Sequence, residues 1–272
     1  MKTWFITGTS RGFGRAWALA ALERGDQVVA TARNPDSLQD VQAQFPDATL
    51  VLPLDVTDRA AAFVAVRQGH EHFGRLDVVV NNAGYGQFGM IEELSEKELR
   101  DQVETNLFGA LWVTQAALPF LREQGSGHFL QISSIGGISA FPNVGAYHSS
   151  KWGLEGFSQA LAAEVAGFGI HVTLIEPGGF STDWGGASAK HARPLPAYDA
   201  VRTESAAFRE ARTQTQGDPL ASARAVLEIV DAEQPPLRVF FGDGPLQLAT
   251  MDYEQRLATW REWEHVSLEA QG

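Results

Sequence analysis

Cysteine is absent from the 272-residue sequence. Disulfides, thiolate catalysis and cysteine-ligated zinc are therefore excluded. Long apolar runs are missing too, since no stretch approaches the ~20 residues that a membrane-spanning helix needs. Positive charge is scarce: 21 lysines and arginines stand against 33 acidic residues, for a net charge of -12. That balance speaks against nucleic acid or an anionic membrane as the main partner, although a few local arginines can still build a phosphate site. The seven histidines are scattered, so no metal constellation is visible. Repeats, low-complexity tracts and linkers are lacking, and residues 1–272 read as a single domain. Met1-Lys2 leads straight into Trp4-Phe5-Ile6-Thr7, a strand pattern rather than a signal peptide, which gives the expectation of a cytoplasmic protein.

What is present is a regular alternation. Short apolar runs recur at 4–7, 27–32, 49–52, 77–80, 128–132, 171–175 and 238–241. They are continuous rather than alternating, as befits strands covered on both faces of a parallel sheet. Helical patterns lie between them at 15–23, 59–73, 96–121, 146–166 and 220–232, with Gly25 and Gly167/Gly169 as helix stops. The pattern predicts an α/β protein: a Rossmann-type doubly wound parallel sheet of about seven strands with helices on both faces. The irregular stretch 182–217 lacks a strand of its own and reads as a substrate-binding insertion, a lid or loop. Beyond Gly244, the tail with Tyr253, Trp260 and Trp263 reads as a C-terminal helix at 246–265 packed on the core.

Chemistry enters at the first strand-to-helix turn, Thr7-Gly8-Thr9-Ser10-Arg11-Gly12-Phe13-Gly14. Glycines at such a turn let backbone N–H groups approach a pyrophosphate at the positive end of the helix. At the end of the second strand, where enzymes using NAD carry a carboxylate for the ribose, this chain has Ala32 and then Arg33. A missing carboxylate together with Arg11 and Arg33 suits a 2′-phosphate, and hence NADP(H). Two solvated surface arginines are the alternative. Further on, Tyr147 and Lys151 are four residues apart, so a helix would place them on one face. An ammonium ~4 Å from the phenol, at an effective dielectric of ~20, is worth ~4 kcal/mol, about three pKa units toward the phenolate.

These motifs resemble, in order and over nearly the whole chain, the short-chain dehydrogenase/reductase family. Its glycine turn is similar to Gly8, Gly12 and Gly14, with Ser10, Arg11 and Phe13 between them. Its acidic adenine contact resembles Asp55 in Leu54-Asp55-Val56. Its Asn-Asn-Ala-Gly segment is present as Asn81-Asn82-Ala83-Gly84, and its catalytic asparagine resembles Asn106. Its serine lies thirteen residues before the tyrosine, which selects Ser134 over Ser133. Its nicotinamide-holding turn resembles Pro177-Gly178, with Phe180 and Thr182 in the same segment.

The resemblance implies a carbonyl/alcohol oxidoreductase. Ser134 would bind the substrate oxygen and Tyr147 would donate the proton. Lys151 would hold the nicotinamide ribose beside Tyr147, and Asn106 would position a relay water, or serve as a helix-kink residue. Arg122, His128 and His148 read as surface or packing residues. In the resembling fold Tyr85, Phe88, Met90, Phe141 and Trp184 border the nicotinamide end of the cleft. That points to bulky apolar ketones, in keeping with the hydroxysteroid- and retinol-dehydrogenase-like branch. The resemblance also implies a homodimer or homotetramer built on the helices that carry Leu107, Leu111, Trp112 and Leu118, and Trp152, Leu154 and Phe157. A catalytically silent NADP(H)-binding sensor or scaffold, and a different reaction on the same fold, are the competing readings.

Overall fold

The structure is a computed structural model that describes residues 1–186, 188–213 and 216–271, without the side chains of 183 and 208–213. Nine strands and ten α-helices alternate among the described residues: β1 (Thr3–Thr7), α1 (Gly12–Glu23), β2 (Gln27–Ala32), α2 (Gln39–Gln44), β3 (Thr49–Pro53), α3 (Arg59–Phe73), β4 (Val78–Asn81), β5 (Gln87–Phe88), α4 (Glu96–Val103), α5 (Gly109–Gln124), β6 (Gly127–Ile132), α6 (Gly145–Val165), β7 (Ile170–Pro177), β8 (Lys190–His191), α7 (Asp199–Thr213), α8 (Ser222–Asp231), β9 (Arg238–Phe241), α9 (Pro245–Glu262) and α10 (Glu264–Glu269). Seven of the strands form one parallel sheet in the order β3-β2-β1-β4-β6-β7-β9, as the apolar runs predict. The chain reverses its direction of travel across the sheet between β1 and β4. That is the topological switch point where ligands of such sheets bind.

Successive side chains of a strand point to opposite faces, so both faces of this sheet need cover. Trp4 and Ile6 of β1 belong to one core with Val28, Ala30, Val78 and Val80, closed by Trp17 of α1 and Val226 of α8. Phe5, Val29 and Val79 belong to the other, closed by Val66 of α3, Val113 of α5 and Leu161 of α6. Two buried faces explain why the strands read as uninterrupted apolar runs. Local signals fix the helix ends: the Asp58 carboxylate accepts from Ala61 N–H at 2.9 Å at the start of α3, and Ser95 forms a capping box with Glu98 at the start of α4.

Three expectations change. The pattern at 96–121 is not one helix: α4 and α5 are joined by a π-helical segment, Glu104–Phe108. The stretch 182–217 does have a strand. Its residues Lys190–His191 form β8, which pairs in parallel with β5 (Gln87↔Lys190, Phe88↔His191), and α7 follows. A two-residue strand is too short to show any periodicity in sequence. The tail is helical, as expected, but only α9 up to Arg256 packs against the domain, with Asp252 accepting from Ser139 and Arg256 donating to Ile138 O. In α9 only Pro245 and Ala249 are buried, and Trp260 and Trp263 are each 59% exposed. Among the described residues no helix is long and apolar enough to cross a membrane.

Candidate active site

The glycine turn lies at the switch point, between β1 and α1. Its shape calls for its glycines. Gly8 has φ +70°, a conformation that L side chains rarely adopt. A Cβ on Gly14 would stand 2.5 Å from Gly8 O and from Asn82 Nδ2. The turn is braced from β4: Asn82 Nδ2 donates to Thr7 O (2.8 Å) and Gly8 O (3.0 Å). Asn82 and Ala83 N–H groups both donate to Thr7 Oγ1, at 2.9 and 3.0 Å. The backbone amide of Thr9 ties the turn to the end of β2 by donating to Thr31 O at 3.0 Å. Arg11 caps α1, and Arg33 follows β2 directly, both exposed at this edge of the sheet.

Leu54 N–H donates to Ala32 O at 2.9 Å, which brings the Asp55-Val56 segment beside the same edge. Val56 is buried against Gly109, while the exposed carboxylate of Asp55 accepts from Thr57 N–H at 3.0 Å. On the other side, Pro177 ends β7 and Gly178 N–H donates to Phe241 O at 2.9 Å. Phe180 meets Phe13 edge-on with centroids 4.9 Å apart, joining this turn to the first turn of α1. Thr182 would be the nearest neighbour, at 3.7 Å, of a Cβ on Gly12.

The four candidate catalytic residues converge from three elements. Asn106 lies in the π-helical segment, a distortion that recurs at functional sites. Its side chain is fully engaged: Nδ2 donates to Tyr85 O (3.0 Å) and Ser150 Oγ (3.2 Å), and Oδ1 accepts from Tyr85 N–H (3.2 Å). These bonds tie the π-helical segment to the Tyr85 backbone and to α6. Gly84 fits between Asn106 and Lys151, since a Cβ there would lie 3.1 Å from Asn106 Oδ1 and 3.8 Å from Lys151 Nζ. Lys151 Nζ donates to Ile132 O at 2.6 Å, at the end of β6, and stands 5.7 Å from the centre of the Tyr147 ring. Ser134 follows β6 and accepts from Gly136 N–H at 3.0 Å, and its hydroxyl lies beside the Tyr147 phenol.

Burial dominates the electrostatics here. It pushes the Tyr147 phenol up to about 12, with the Ser134 hydrogen bond opposing. It also pushes the Lys151 ammonium down to about 8, with the Glu155 carboxylate opposing. The expected fall of the phenol below its ordinary value therefore does not occur in this structure. The ammonium sits beside the ring and is spent on a backbone carbonyl, and desolvation of a 7% exposed tyrosine outweighs it.

Three of the five candidate pocket residues gather over Tyr147. Phe88, Phe141 and Trp184 pack with Tyr147 and Val144 in one apolar cluster. Trp184 meets Phe88 at 5.4 Å between centroids, and its indole presses on Gly86, where a Cβ would stand 2.8 Å from the ring. Tyr85 does not join them. Its ring lies under Lys190 Nζ at 4.4 Å, and burial together with the Asp101 and Glu98 carboxylates pushes its phenol up to about 12. Met90 is buried nearby in sequence but outside the cluster.

The sequence profile of the short chain dehydrogenases matches residues 2–193. The chain belongs to the short-chain dehydrogenase family, and it is an oxidoreductase. One relative of this short-chain dehydrogenase is Oxidoreductase BOA17 of Botryotinia fuckeliana, 43% identical over 272 residues that span 98% of each chain. A crystal structure of a short-chain dehydrogenase from Streptomyces avermitilis superposes with a TM-score of 0.91 at 41% identity, covering 99% of this chain and 100% of that one. An alcohol dehydrogenase from the archaeon Thermococcus sibiricus, solved in complex with 5-hydroxy-NADP, superposes with a TM-score of 0.75 at 27% identity, covering 89% and 96%.

The structure adds residues to this short-chain dehydrogenase's candidate site that no local motif marks. His148 Nε2 accepts from Phe141 N–H (2.8 Å) while Nδ1 bonds Gly136 O (2.7 Å), so a neutral, buried imidazole holds the segment between Ser134 and Tyr147 in place. Gln102 Nε2 donates to Tyr85 O at 3.0 Å and supports the same backbone that Asn106 holds. Glu93, from the turn before α4, accepts from Leu195 N–H at 2.7 Å and from Arg202, fastening the segment around 195–202 to that turn. Each is a lone polar residue in sequence. Only its partner, brought from a distant segment, reveals the role.

Proposed function

We propose that this short-chain dehydrogenase uses NADP(H) to reduce ketones or aldehydes to alcohols, reversibly, and that its substrates are bulky and apolar. The observation that carries this reading is the buried Tyr147 phenol, held between Ser134 and Lys151 beneath the Phe88–Phe141–Trp184 cluster. The residues present fit a dinucleotide. The left-handed Gly8, the close approach of Gly14 and the exposed amide end of α1 make a cradle for a pyrophosphate. Arg11 and Arg33 lie where the 2′-phosphate of the adenosine would be held, with Asp55 and Val56 toward the adenine. Gly84, Pro177, Gly178, Phe180 and Thr182 would border the nicotinamide end. The Thermococcus alcohol dehydrogenase, bound to an NADP derivative, supports the choice of cofactor.

NADPH, when bound, supplies the hydride that reduces the carbonyl carbon. The chain's own residues manage the oxygen. Ser134 hydrogen-bonds the substrate oxygen and stabilises the charge developing on it. Tyr147 gives its proton to that oxygen. A phenol held near 12 is fully protonated at neutral pH, and an alkoxide is a much stronger base than a phenolate, so the transfer runs downhill. The Lys151 ammonium, 5.7 Å from the ring centre, stabilises the phenolate left behind. Trp184, Phe88 and Phe141 exclude water and select substrate by apolar area. Self-association through α5 and α6 belongs to the same proposal. Phe108, stacked on Trp112, is 37% exposed and Trp152 40%, and a two-fold interface would cover them.

The test is NADPH consumption across a panel of aryl and polycyclic ketones and short aliphatic keto acids, repeated with NADH. The reading expects the aryl and polycyclic ketones to win in kcat/KM, and NADPH to be preferred. Losing one phosphate-paired arginine, by Arg11→Ala or Arg33→Ala, should cost on the order of 1–3 kcal/mol of that preference. A wild-type preference for NADH would overturn the phosphate site. Tight NADPH binding without turnover of any substrate would favour the silent sensor.

A further inference from the structure

Behind Lys151, away from the substrate, lies a polar cluster that the proposed chemistry does not use. Glu155 is one helical turn after Lys151 on α6, and Glu176 is the residue of β7 just before Pro177. The Glu176 side chain has no exposure and that of Glu155 is 8% exposed. Arg238 of β9 serves both: its Nε donates to Glu155 Oε2 at 2.9 Å and stands 3.5 Å from Glu176 Oε1. The rest of its guanidinium turns away, to Gln159 Oε1 at 2.9 Å. Glu155 Oε1 and both oxygens of Glu176 have no donor from the protein. Ser133 and Gly137, just after β6, close the cluster: a Cβ on Gly137 would be 2.5 Å from Ser133 Oγ and 3.2 Å from Glu155 Oε1.

Two ionised carboxylates packed together out of water, with one guanidinium between them, is an unfavourable arrangement. A single proton resolves it. The protonated carboxyl becomes a donor to its neighbour, and two stranded oxygens gain a partner at once. We propose that Glu155 and Glu176 share one proton at neutral pH, and that this carboxyl–carboxylate pair is a positioning element that keeps Lys151 charged. Among the described residues, the charged and titratable groups facing the pair are Arg238 from β9 and Lys151 from α6. Burial, with the Glu155 charge second, pushes Glu176 up to about 8, which makes it the carboxyl that holds the proton. The Glu155 carboxylate opposes the desolvation that otherwise discharges Lys151.

The pairing is independent of any reaction, whereas the effect on Lys151 rests on the proposed function, so the test has two readouts. Infrared spectroscopy of the wild-type protein at pH 7 should show the C=O band of one protonated buried carboxyl, shifted in heavy water. That band should fade as pH rises through about 8 and be missing in Glu176→Gln. No such band in the wild type, or its persistence in Glu176→Gln, overturns the pairing whether or not the enzyme turns over. In ketone reduction, Glu155→Gln should move the alkaline limb of the pH profile down by about one unit, and Glu155→Asp should restore much of it. An unmoved limb, with the infrared band intact in the wild type, overturns the coupling to Lys151 and leaves the pairing standing.

Discussion

The indole of Trp184 meets the ring of Tyr147 edge-on, with centroids 4.8 Å apart and planes at 61°. Trp184 belongs to the 182–217 insertion and Tyr147 to α6, so this contact joins the insertion to the candidate chemistry. It also covers the phenol, which is why burial sets the proton affinity of Tyr147. In the proposed function Trp184 is a wall of the pocket. Trp184→Ala should therefore lower kcat/KM for a polycyclic ketone by about tenfold, the scale of one aromatic contact. Turnover of a small aliphatic ketone should stay within about twofold. Equal losses on both substrates would mean that Trp184 organises Tyr147 instead of the substrate.

The Glu93 latch should be sensitive to acid. The hydrogen bond from Arg202, then that from Leu195 N–H, lowers the Glu93 carboxyl from its ordinary 4.5 to about 2. Because the folded value is the lower one, the latch is at full strength above about 4.5 and is lost as pH falls toward about 2. Hydrogen exchange of the 193–202 segment, corrected for the intrinsic pH dependence, should show weaker protection in Glu93→Gln than in wild type at pH 7. The gap should close as pH approaches about 2. Equal protection at pH 7 would show that the carboxylate does not hold the segment.

Gly14→Ala should damage the cofactor cradle from within. The new methyl would stand 2.5 Å from a backbone oxygen, Gly8 O, which cannot step aside without breaking its bond from Asn82. Overpacking of this kind costs ~1–3 kcal/mol, and a several-degree fall in Tm should accompany weakened NADPH binding. An unchanged Tm would mean that the turn relaxes freely.

The sheet was legible in the sequence because each central strand is buried on both sides. Seven continuous apolar runs between helical patterns leave little choice of fold. The site was legible where a motif is local, as in the glycine turn or in Tyr147 and Lys151. Other features are set by contacts across the chain. The strand Lys190–His191 exists only because Gln87–Phe88 offers an edge to it. Tyr85 reads as one more pocket aromatic until Lys190 and Asp101 are seen to surround it. The proton affinity of Tyr147 follows from how deeply it is covered, which the spacing to Lys151 does not reveal. Likewise Trp260 and Trp263, apolar in sequence, lie exposed at the far end of the tail.

The central claim is that the Tyr147 phenol delivers the proton. Tyr147→Phe removes one oxygen and leaves the ring, and with it the packing against Trp184 and Phe88. The direct measurement is ketone turnover by Tyr147→Phe alongside NADPH binding, followed by quenching of tryptophan fluorescence. Turnover should fall by ~10²–10⁴ while NADPH affinity stays within a few-fold of wild type. Near-normal turnover by Tyr147→Phe, on any carbonyl substrate that the wild type accepts, would contradict that claim.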